Sequence, residues 1–552
     1  MTASGPRDRT GRPGRGGRPG RPDRPVRAFG DTALVAEVES VAEAHALAAA
    51  LARGPARPGV EDVVVGYRSV TVVADPTVAA LEALEDELAT TPAPVPAGVA
   101  GRVVEVPVAF DGPDLAEVAA RAGMVPAQVV EHLTGTPLPV AFLGFLPGFA
   151  YLHGLPAALA GVPRRSSPRA AVPAGSVGVG GGFAGIYPRA SPGGWQLVGR
   201  TGFVLFDPET PPFATLGPGD TVRLRAVDDP GTVTPPARPP LRSAAARTLT
   251  VEAPGFVSTV QDRGRVGVAA LGVPRAGAAD PFALRAGNRL VGNDDACAGI
   301  EVTALGPSLR FSAASHVAVV GGAAATVDGR SVSVDAVVPI SAGQVLTVTK
   351  MLDDLRVYVV VSGGVDAAPV LGSRSSDVLG AVGPGPLRPG DVLGIGPPAR
   401  PRGRIVRTGG RRARRLLRVV PGPDDFGDAG VAQLAGTEWR VAAASDRVGV
   451  RLDADRPLDP PVPGIASRGV VTGAVQVPAD GRPVVLLNDH ATVGGYPVVA
   501  TVVSADLGQL GQCRPGDLVR FEPVDGGTAR AARAAAERAL ERAVVGWYPV
   551  QS

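Results

Sequence analysis

The stretch Gly217-Pro218-Gly219-Asp220-Thr221-Val222-Arg223-Leu224 combines a tight turn with the start of an alternating strand. Proline sets φ, the Gly-Asp pair supplies the reversal, and apolar residues then recur at every second position. A second copy runs from Arg514 to Phe521, and a shorter third copy runs from Pro389 to Leu393. Three copies of one strand-opening turn predict three related β-barrels.

Two further motifs recur in the same order around the first and last copies of this turn. Pro173-Ala174-Gly175 is matched with Pro478 to Gly481, and Gly193-Gly194-Trp195 is matched with Gly494-Gly495-Tyr496. The sequence around them consists of short apolar runs cut by glycine and proline, which is typical of barrels. With 74 Gly and 56 Pro in 552 residues, the composition also favours many turns between short strands.

The segment before the first barrel alternates between strand and helix periodicity. Its predicted elements have the order βαββαβ, with a capping box at Ser40 and Glu43 that opens the first helix. The predicted strands are Thr32 to Val38, Asp62 to Tyr67, Ser69 to Ala74 and Arg102 to Phe110. This order predicts a small ferredoxin-like α+β domain, so the fold class is mainly β with a small α+β domain at the N-terminus.

Lysine is almost absent from the chain, and this excludes several kinds of chemistry. Lys350 is the only lysine among 55 Lys and Arg residues, and it follows no glycine-rich run. A Walker A loop and a Ser-x-x-Lys amidase are therefore excluded, as is biotin attachment in a Met-Lys-Met turn. Cys297 and Cys513 form no Cys-x-x-Cys pair, which excludes a disulfide scaffold and a thiolate zinc site.

The net charge of +3 comes from the ends and linkers rather than from the body of the protein. Residues 1–27 carry eight arginines against Asp8 and Asp23, so the remainder is acidic. Neither this tail nor the arginine run from Arg402 to Arg418 is interleaved with aromatic residues, and we expect no nucleic-acid partner. The tail lacks an apolar signal segment, no stretch suits a membrane helix, and we expect a cytoplasmic protein.

One decapeptide concentrates chemically useful side chains. Asn488 to Pro497 contains an acid, a titratable base, a hydroxyl and a tight glycine turn. A second candidate is the glycine-rich loop Gly178 to Gly182, which is either a backbone anion site or a plain barrel turn. Polar clusters at Ser373 to Ser376 and at Ser445 to Arg447 are either functional or ordinary loop scaffolding.

The ordered motifs of the chain resemble a known family. The N-terminal half resembles the B subunit of prokaryotic 5-oxoprolinase, also called allophanate hydrolase subunit 1, at Phe142 to Leu152, Pro163 to Arg169, Pro173 to Ser176, Gly185 to Pro188 and Ser191 to Trp195. The C-terminal half resembles the C subunit, of the biotin-dependent carboxyltransferase-like family (allophanate hydrolase subunit 2), at Thr259 to Asp262, Leu271 to Pro274, Ala286 to Asn293, Glu301 to Thr303, Leu371 to Ser375, Ser445 to Leu452, Gly473 to Pro478 and Gly494 to Pro497. The chain is thus similar to a fusion of the two subunits.

The resemblance implies cyclophilin-like β-barrels after the ferredoxin-like domain. It also implies the ATP-dependent opening of 5-oxo-L-proline to L-glutamate together with a separate A subunit, with ATP and Mg²⁺ as cofactors and no covalently bound biotin. Where many relatives have Asp-Arg-Gln-Thr-Thr or Asp-Ala-Gln-Thr-Thr, this chain has Asp489-His490-Ala491-Thr492-Val493. A homo-oligomer is left open.

The domain boundaries that we expect from these patterns fall at composition changes. They are a basic tail (1–27), the ferredoxin-like domain (28–105), a B-subunit-like barrel (106–228), a linker (229–247), a first C-subunit-like β domain (248–400), a basic linker (401–416), a second C-subunit-like barrel (417–527) and a C-terminal helix with its tail (528–552).

The candidate site residues divide into two groups, and no metal ligand is assigned. Those expected to be catalytic, facing the lactam near the junction of the halves, are Asp489, His490, Thr492 and Tyr496. Those expected to bind nucleotide or substrate are Arg169, Ser176, Gly178, Gly180, Gly181, Tyr187, Trp195, Gln261, Asp262, Arg374, Asp446, Arg447 and Gln476. With no usable lysine, phosphate must be held by arginine, backbone amides and Mg²⁺.

Two other functions remain open at this point. The chain could be a carboxyltransferase-like module of a urea carboxylase type system, which would need biotin on another chain. It could also be a non-catalytic regulator that binds a sensor histidine kinase and needs no catalytic residues.

Overall fold

The computed structural model describes residues 24–94, 101–234, 236, 239–242, 245–352, 354–405 and 414–545. These residues form an N-terminal module (24–94), barrel 1 (101–226), a central module (245–405) and barrel 2 (414–523), followed by a C-terminal helix. The predicted mainly β class with few helices is confirmed.

The N-terminal module is a four-stranded antiparallel sheet covered by two helices. Its elements are β1 (Val26–Ala28), β2 (Ala33–Glu37), α1 (Val41–Arg53), β3 (Val60–Gly66), β4 (Ser69–Ala74) and α2 (Leu81–Thr90). The sheet order is β1-β2-β4-β3. As the capping box predicts, the Glu43 N–H donates to the Ser40 hydroxyl, and α1 begins at Val41.

Barrel 1 is a seven-stranded sheet that curls nearly into a closed barrel. Its elements are β5 (Val103–Val108), α3 (Leu115–Ala122), α4 (Pro126–Gly135), β6 (Leu138–Leu143), β7 (Ala150–Leu152), α5 (Ala157–Ala160), β8 (Arg169–Val172), β9 (Ser176–Gly180), β10 (Phe183–Ile186), β11 (Ser191–Gly193), β12 (Gln196–Arg200) and β13 (Thr221–Ala226). The order is β12-β9-β10-β7-β6-β13-β5, and a bridge between Ala109 and Arg200 joins the two end strands. Strands β8 and β11 pair separately.

The ferredoxin-like arrangement predicted for residues 28–105 is not confirmed. The strand predicted at Arg102 to Phe110 is β5, and it pairs in parallel with β13 in barrel 1 instead of joining the N-terminal sheet. Its Val106 and Val108 side chains are fully buried in the barrel core. Periodicity predicts that a segment is a strand, but it does not say which sheet the strand joins. The fourth strand of the N-terminal sheet is β1, which precedes the predicted set.

The central module consists of two sheets around one hydrophobic core. Its elements are β14 (Arg247–Ala253), β15 (Val257–Gln261), a 3₁₀ turn (Ala269–Leu271), α6 (Pro281–Leu290), β16 (Gly299–Thr303), β17 (Ser308–Phe311), β18 (Ser315–Val320), β19 (Ala323–Val327), β20 (Arg330–Val332), β21 (Val338–Ile340), β22 (Val345–Met351), β23 (Arg356–Val361) and β24 (Val392–Ile395). The sheet orders are β20-β19-β22-β17-β14-β24 and β15-β16-β23-β18-β21. The third turn copy therefore leads into an end strand of a two-sheet module, and the prediction of a third related barrel is wrong.

Barrel 2 is closed. The elements from the end of the central module onward are β25 (Arg404–Ile405), β26 (Arg414–Pro421), α7 (Gly427–Gly436), β27 (Trp439–Val441), β28 (Gly449–Asp453), β29 (Arg468–Gly469), β30 (Ala474–Gln476), β31 (Val484–Leu486), β32 (Val493–Gly494), β33 (Val498–Val502), a 3₁₀ turn (Ser504–Asp506), α8 (Leu507–Gly511), β34 (Leu518–Pro523), α9 (Gly526–Ala543) and β35 (Val544–Val545). The closed order is β26-β33-β30-β31-β28-β27-β34, β29 pairs with β32, and β25 pairs with β35.

The two barrels share one topology, strand for strand. In each barrel the last strand pairs in parallel with the first, β13 with β5 and β34 with β26. The Gly-Gly-Trp and Gly-Gly-Tyr motifs both lead into the next-to-last strand, as the predicted repeat requires. The match of Pro173-Ala174-Gly175 with Pro478 to Gly481 is wrong, because the first precedes β9 whereas the second is the β30–β31 hairpin. Turns of similar composition occur at several corners of a barrel, which explains the mismatch.

The expected basic linker (401–416) overlaps the first strand of barrel 2, because β26 begins at Arg414. Residues 406–413 of this linker lie outside the described residues. Most of the expected basic tail, residues 1–23, also lies outside them. The predicted C-terminal helix is α9. In the described part of the chain, no helix combines the length and the apolar character needed to cross a bilayer.

The N-terminal module and barrel 1 pack directly against the C-terminal half. Asp31 accepts hydrogen bonds from the Ser504 N–H (2.9 Å) and hydroxyl (2.6 Å). Glu61 forms an ion pair with Arg275, and a side chain at Gly144 would collide with Val493. These contacts close a cavity between the two halves.

Candidate active site between the two halves

A cavity of about 200 Å³ lies where the N-terminal module, the central module and barrel 2 meet. The N-terminal module contributes Asp62 among other residues, the central module contributes Asp262 and Arg275, and barrel 2 contributes His490 and Thr492. A partly enclosed cleft in which polar groups from several elements converge is a common setting for a small-molecule site.

His490 has the geometry of a base that faces this cavity. It lies in the loop after β31, and its Nδ1 is 2.7 Å from the Ala491 carbonyl oxygen. Because a carbonyl only accepts, Nδ1 carries the proton in this contact and Nε2 keeps a free lone pair. Burial lowers the pKa of His490 below its usual 6.5, so the imidazole is neutral at pH 7.

Thr492 and Asn488 flank His490 in the cavity wall. The Thr492 hydroxyl is buried and has no hydrogen-bond partner, so it remains available to a ligand. The Asn488 amide instead donates to the carbonyl oxygens of Ala276 and Ala278, both at 3.1 Å. Asn488 therefore ties the 488–492 loop to the central module and positions the other two side chains.

Asp489 does not line the cavity and instead anchors the loop through a buried ion pair. Arg447 Nε and Nη2 donate to the two Asp489 oxygens at 2.9 and 2.8 Å. Burial raises the pKa of Asp489, and the charge of Arg447 opposes that rise. Two parallel hydrogen bonds to one guanidinium fix the carboxylate in a single orientation.

Arg447 extends this pair into a network that joins barrel 2 to the central module. Its Nη1 donates to Glu301 Oε1 at 2.5 Å and its Nη2 donates to the Gly277 carbonyl at 2.8 Å. Glu301 also accepts from the Tyr358 hydroxyl and the Ala279 N–H, both at 2.8 Å. Although burial raises the pKa of Glu301, the charges of Arg447 and Arg356 and these hydrogen bonds lower it overall.

Asp377 is a fully buried carboxyl group close to this network. One of its oxygens accepts from the Gly380 N–H at 2.9 Å, and the other has no partner. Burial raises the pKa of Asp377 to about 7, and the charge of Asp489 acts in the same direction, against Arg265 and Arg189. Asp489 is bound by Arg447, so we assign the proton of this acidic pair to Asp377 at neutral pH.

Asp62 is a functional candidate that sequence reasoning missed. It lies on β3, accepts a hydrogen bond from the Ala269 N–H at 2.9 Å, and lines the cavity. Burial raises its pKa, so Asp62 holds a proton more readily than a free carboxyl does. In the sequence, Asp62 is one of two adjacent acids, with Glu61, in a strand whose other residues are valine and glycine. Acids are also common on exposed strand faces, so this pattern did not single it out.

The binding residues predicted in barrel 1 form a cluster of their own. Arg169 Nη2 donates to Asp114 at 2.6 Å, and its Nη1 donates to the Trp195 carbonyl at 3.4 Å. Trp195 and Tyr187 belong to a buried aromatic cluster around Phe149. Ser176 is buried at the start of β9.

The glycine-rich loop is the tight hairpin between β9 and β10. Gly181 and Gly182 both have positive φ, at 61° and 86°, as a two-residue hairpin turn requires. The Gly181 N–H donates to the Val162 carbonyl at 3.0 Å. Gly178 makes room for Trp195, and Gly180 pairs with Phe183. These contacts are those of a barrel turn.

The remaining predicted residues are distributed over several loops. Asp262, which lines the cavity, accepts hydrogen bonds from Ser373, Ser375, Gly264 and the Arg374 N–H. Gln261 is buried and donates to Thr259 and Ser376, and the Arg374 guanidinium pairs with Asp366. The Asp446 carboxylate accepts a hydrogen bond from the Val448 N–H in its own turn. The amide nitrogen of Gln476 is buried and has no hydrogen-bond partner. The Tyr496 side chain is 45% exposed.

The structure thus brings together Asp262, His490 and Thr492 in the cavity wall and places the Arg447–Asp489 pair behind them. Tyr496 and the barrel 1 residues do not line the cavity. Within the described ranges, no group of three or more His, Cys, Asp or Glu side chains is placed to hold a metal ion.

Comparisons with known proteins agree with this two-part architecture. A family model described as carboxyltransferase domain, subdomain C and D, matches residues 25–216, and the model for subdomain A and B matches residues 271–523. The border between the two matches lies close to the border between barrel 1 and the central module.

Individual relatives cover the same two halves. The 5-oxoprolinase B subunit of Escherichia coli O157:H7 is 42% identical over 202 residues, which is 35% of this chain and 92% of that protein. The 5-oxoprolinase C subunit of Escherichia coli K12 is 34% identical over 273 residues, 48% of this chain and 88% of that protein. The crystal structure of TTHA0988 matches with a TM-score of 0.79 and 36% identity, covering 90% of this chain and all of that chain.

The B-subunit relative is therefore matched over nearly its whole length by the N-terminal half of this chain, and the C-subunit relative by the C-terminal half. The chain belongs to the carboxyltransferase-domain family that includes the B and C subunits of 5-oxoprolinase, as a fusion of a B-subunit-like half with a C-subunit-like half.

Proposed function

We propose that the chain is the fused B–C component of an ATP-dependent 5-oxoprolinase, which opens 5-oxo-L-proline to L-glutamate together with a separate A subunit. The observation that carries this proposal is the cavity that both halves line, with Asp62 from one half and His490 from the other. A cavity of about 200 Å³ suits a small cyclic amide and is too small to enclose a nucleotide.

A lactam carbonyl is a poor electrophile, so its opening requires activation of the oxygen, delivery of water and protonation of the ring nitrogen. When bound, ATP would supply the phosphoryl group that activates the carbonyl carbon toward water, and a second water would release this group as inorganic phosphate after the ring has opened. The neutral His490 Nε2 accepts the proton of the attacking water. Asp62, whose pKa is raised by burial, donates a proton to the ring nitrogen as the carbon–nitrogen bond breaks. The unpartnered Thr492 hydroxyl orients the substrate.

Two of the groups expected to hold phosphate, the Arg169 guanidinium and the Gly181 N–H, already have partners within the protein. Arg169 is already paired with Asp114, and the Gly181 N–H already donates to Val162. An anion site needs donors that are free to turn toward the ligand. No step of the reaction is therefore assigned to the barrel 1 hairpin. Its residues Gly178 and Gly180 lie against the buried Trp195, and this packing explains why they have no side chain.

The direct test is to mix the purified chain with a 5-oxoprolinase A subunit and measure ADP and glutamate. We expect ATP consumption that depends on 5-oxoproline and on the presence of both proteins, with glutamate released in equal amount. Consumption of ATP that 5-oxoproline leaves unchanged, or the absence of glutamate, would reject the proposal.

A second candidate is transfer of a carboxyl group from biotin, because both matching family models carry the carboxyltransferase description. Biotin would then be carried by another chain, since the only lysine, Lys350, is an exposed residue of β22. Carboxylation of urea by a biotin carrier protein in the presence of this chain, with no response to 5-oxoproline, would favour this candidate.

A further inference from the structure

A second, larger space lies next to the cavity. It is a groove of about 1110 Å³ between the C-terminal end of α6, residues 400–402 and α9. Four arginines line it, and one of them, Arg263, also lines the cavity. The two spaces are therefore neighbours that share a guanidinium-bearing side chain.

The backbone position of Arg263 is fixed by the hydrogen bonds of its two neighbours, Asp262 and Gly264. Asp262 is held by the Ser373 and Ser375 hydroxyls, both at 2.6 Å, and by the Arg374 N–H at 2.7 Å. Gly264 follows with a φ of 85° and donates to Asp262 at 2.9 Å. The side chain of Arg263 is exposed. Its charge contributes to lowering the pKa of Asp75, but it forms no close ion pair with any described residue. A fixed backbone that carries an exposed guanidinium keeps this charge at the edge of the groove, where it can attract an anion.

Arg402 stands on another wall of the groove. Its N–H donates to the Leu290 carbonyl at 2.7 Å, which fixes its backbone to the end of α6. Its exposed guanidinium likewise makes no ion pair within the described ranges. The same hydrogen bond satisfies a C-terminal carbonyl of the helix, which would otherwise present negative charge to the groove.

The acidic residues of the groove are compatible with a ligand that carries phosphate together with a divalent cation. Asp295 is bound by Arg285 and by Arg289 at 2.6 to 2.9 Å, so it is neutralised. Asp294 uses one oxygen on the Ala296 N–H, and Glu541 is exposed. One or two carboxylates beside phosphate oxygens is the usual environment of Mg²⁺ bound with a nucleotide.

We infer that this groove binds a phosphate-bearing ligand of nucleotide size, with Arg263 and Arg402 holding its phosphate oxygens. Guanidinium groups match phosphate oxygens in geometry and remain charged at all physiological pH values. The inference rests on the proposed function in one respect, because it supplies the phosphoryl donor that the small cavity cannot enclose. Arg263, at the boundary, then marks the end of the ligand that carries the terminal phosphate.

The test measures binding to the full-length chain by calorimetry, without 5-oxoproline and without an A subunit. ATP, pyrophosphate and inorganic phosphate are titrated in the presence of magnesium into the wild type and into Arg263→Gln/Arg402→Gln. The matched control is Arg223→Gln/Arg225→Gln, which removes the same charge from two exposed arginines of β13. We expect saturable ATP binding that weakens at least about tenfold in the groove variant and less than about twofold in the control, as expected for lost charge-assisted hydrogen bonds.

Three results would overturn the inference: no saturable binding of ATP at millimolar concentration, equal weakening in both variants, or inorganic phosphate competing as well as ATP. Circular dichroism of each variant shows whether the fold is retained. Because no turnover is measured, an inactive wild type would reject the proposed function while leaving the binding result standing.

Discussion

The variant Arg447→Met is expected to lower the free energy of unfolding by about 3–5 kcal/mol, because it leaves two buried carboxylates without their partner. Asp489 and Glu301 are 2% and 1% exposed, and both bind Arg447. Methionine fills a similar volume, so the loss comes from uncompensated charge and not from a cavity. Thermal and denaturant unfolding measure the effect.

The control for Arg447 is an exposed ion pair of the same barrel. Arg482 pairs with Asp453, and both side chains are about half exposed. Arg482→Met is expected to change the free energy of unfolding by less than about 1 kcal/mol. A second variant, Arg447→Met/Asp489→Asn, removes one of the stranded charges and is expected to recover part of the loss. An Arg447→Met protein as stable as the control would show that the network does not hold the modules together.

In the proposed reaction with an A subunit, the variant His490→Gln is expected to lower kcat for 5-oxoproline opening by about 10²–10⁴-fold, as is usual on loss of a general base. Glutamine keeps a polar side chain of similar length but has no titrating nitrogen, so the loop is retained while proton transfer is lost. The matched control is His132→Gln, since His132 is exposed on α4. The rate of the His132→Gln variant should remain within about twofold of the wild type.

The pH profile separates a base from a merely structural histidine. Because burial lowers the pKa of His490 below 6.5, its neutral form persists when the pH falls through 6.5. The acid limb of kcat should therefore lie below pH 6.5 in the wild type and disappear in His490→Gln. A variant with a reduced rate but an unchanged acid limb would reject the assignment of His490 as the base.

Local patterns in the sequence were sufficient for much of the barrel architecture. The turn copies at Pro218 and Pro515 do open the parallel closing strands β13 and β34 of two barrels with one topology. The copy at Pro389 opens β24 in a different arrangement. A turn motif is a local feature, whereas closure of a sheet depends on which distant strands pair, and no local pattern encodes that.

The candidate site was only partly predictable for the same reason. The polar decapeptide beginning at Asn488 identified His490 and Thr492, because a cluster of functional groups is visible in one segment. Asp62 and Asp377 lie far from it along the chain, and their raised pKa values come from burial between modules. Arg447 was expected to bind a ligand, but the structure pairs it with Asp489 and Glu301, which only tertiary contacts could reveal.

The central claim is that one site is shared by the two halves of the fusion, and Asp62→Asn tests it most directly. The measurement is glutamate release from 5-oxoproline by the full chain with an A subunit, with Asp111→Asn as the control in an exposed ion pair of the same half. The account predicts that Asp62→Asn loses at least about 10²-fold in rate, as on removal of a general acid, while the control keeps the wild-type rate. A wild-type rate in Asp62→Asn would contradict it, because the B-subunit-like half would then contribute no reacting group.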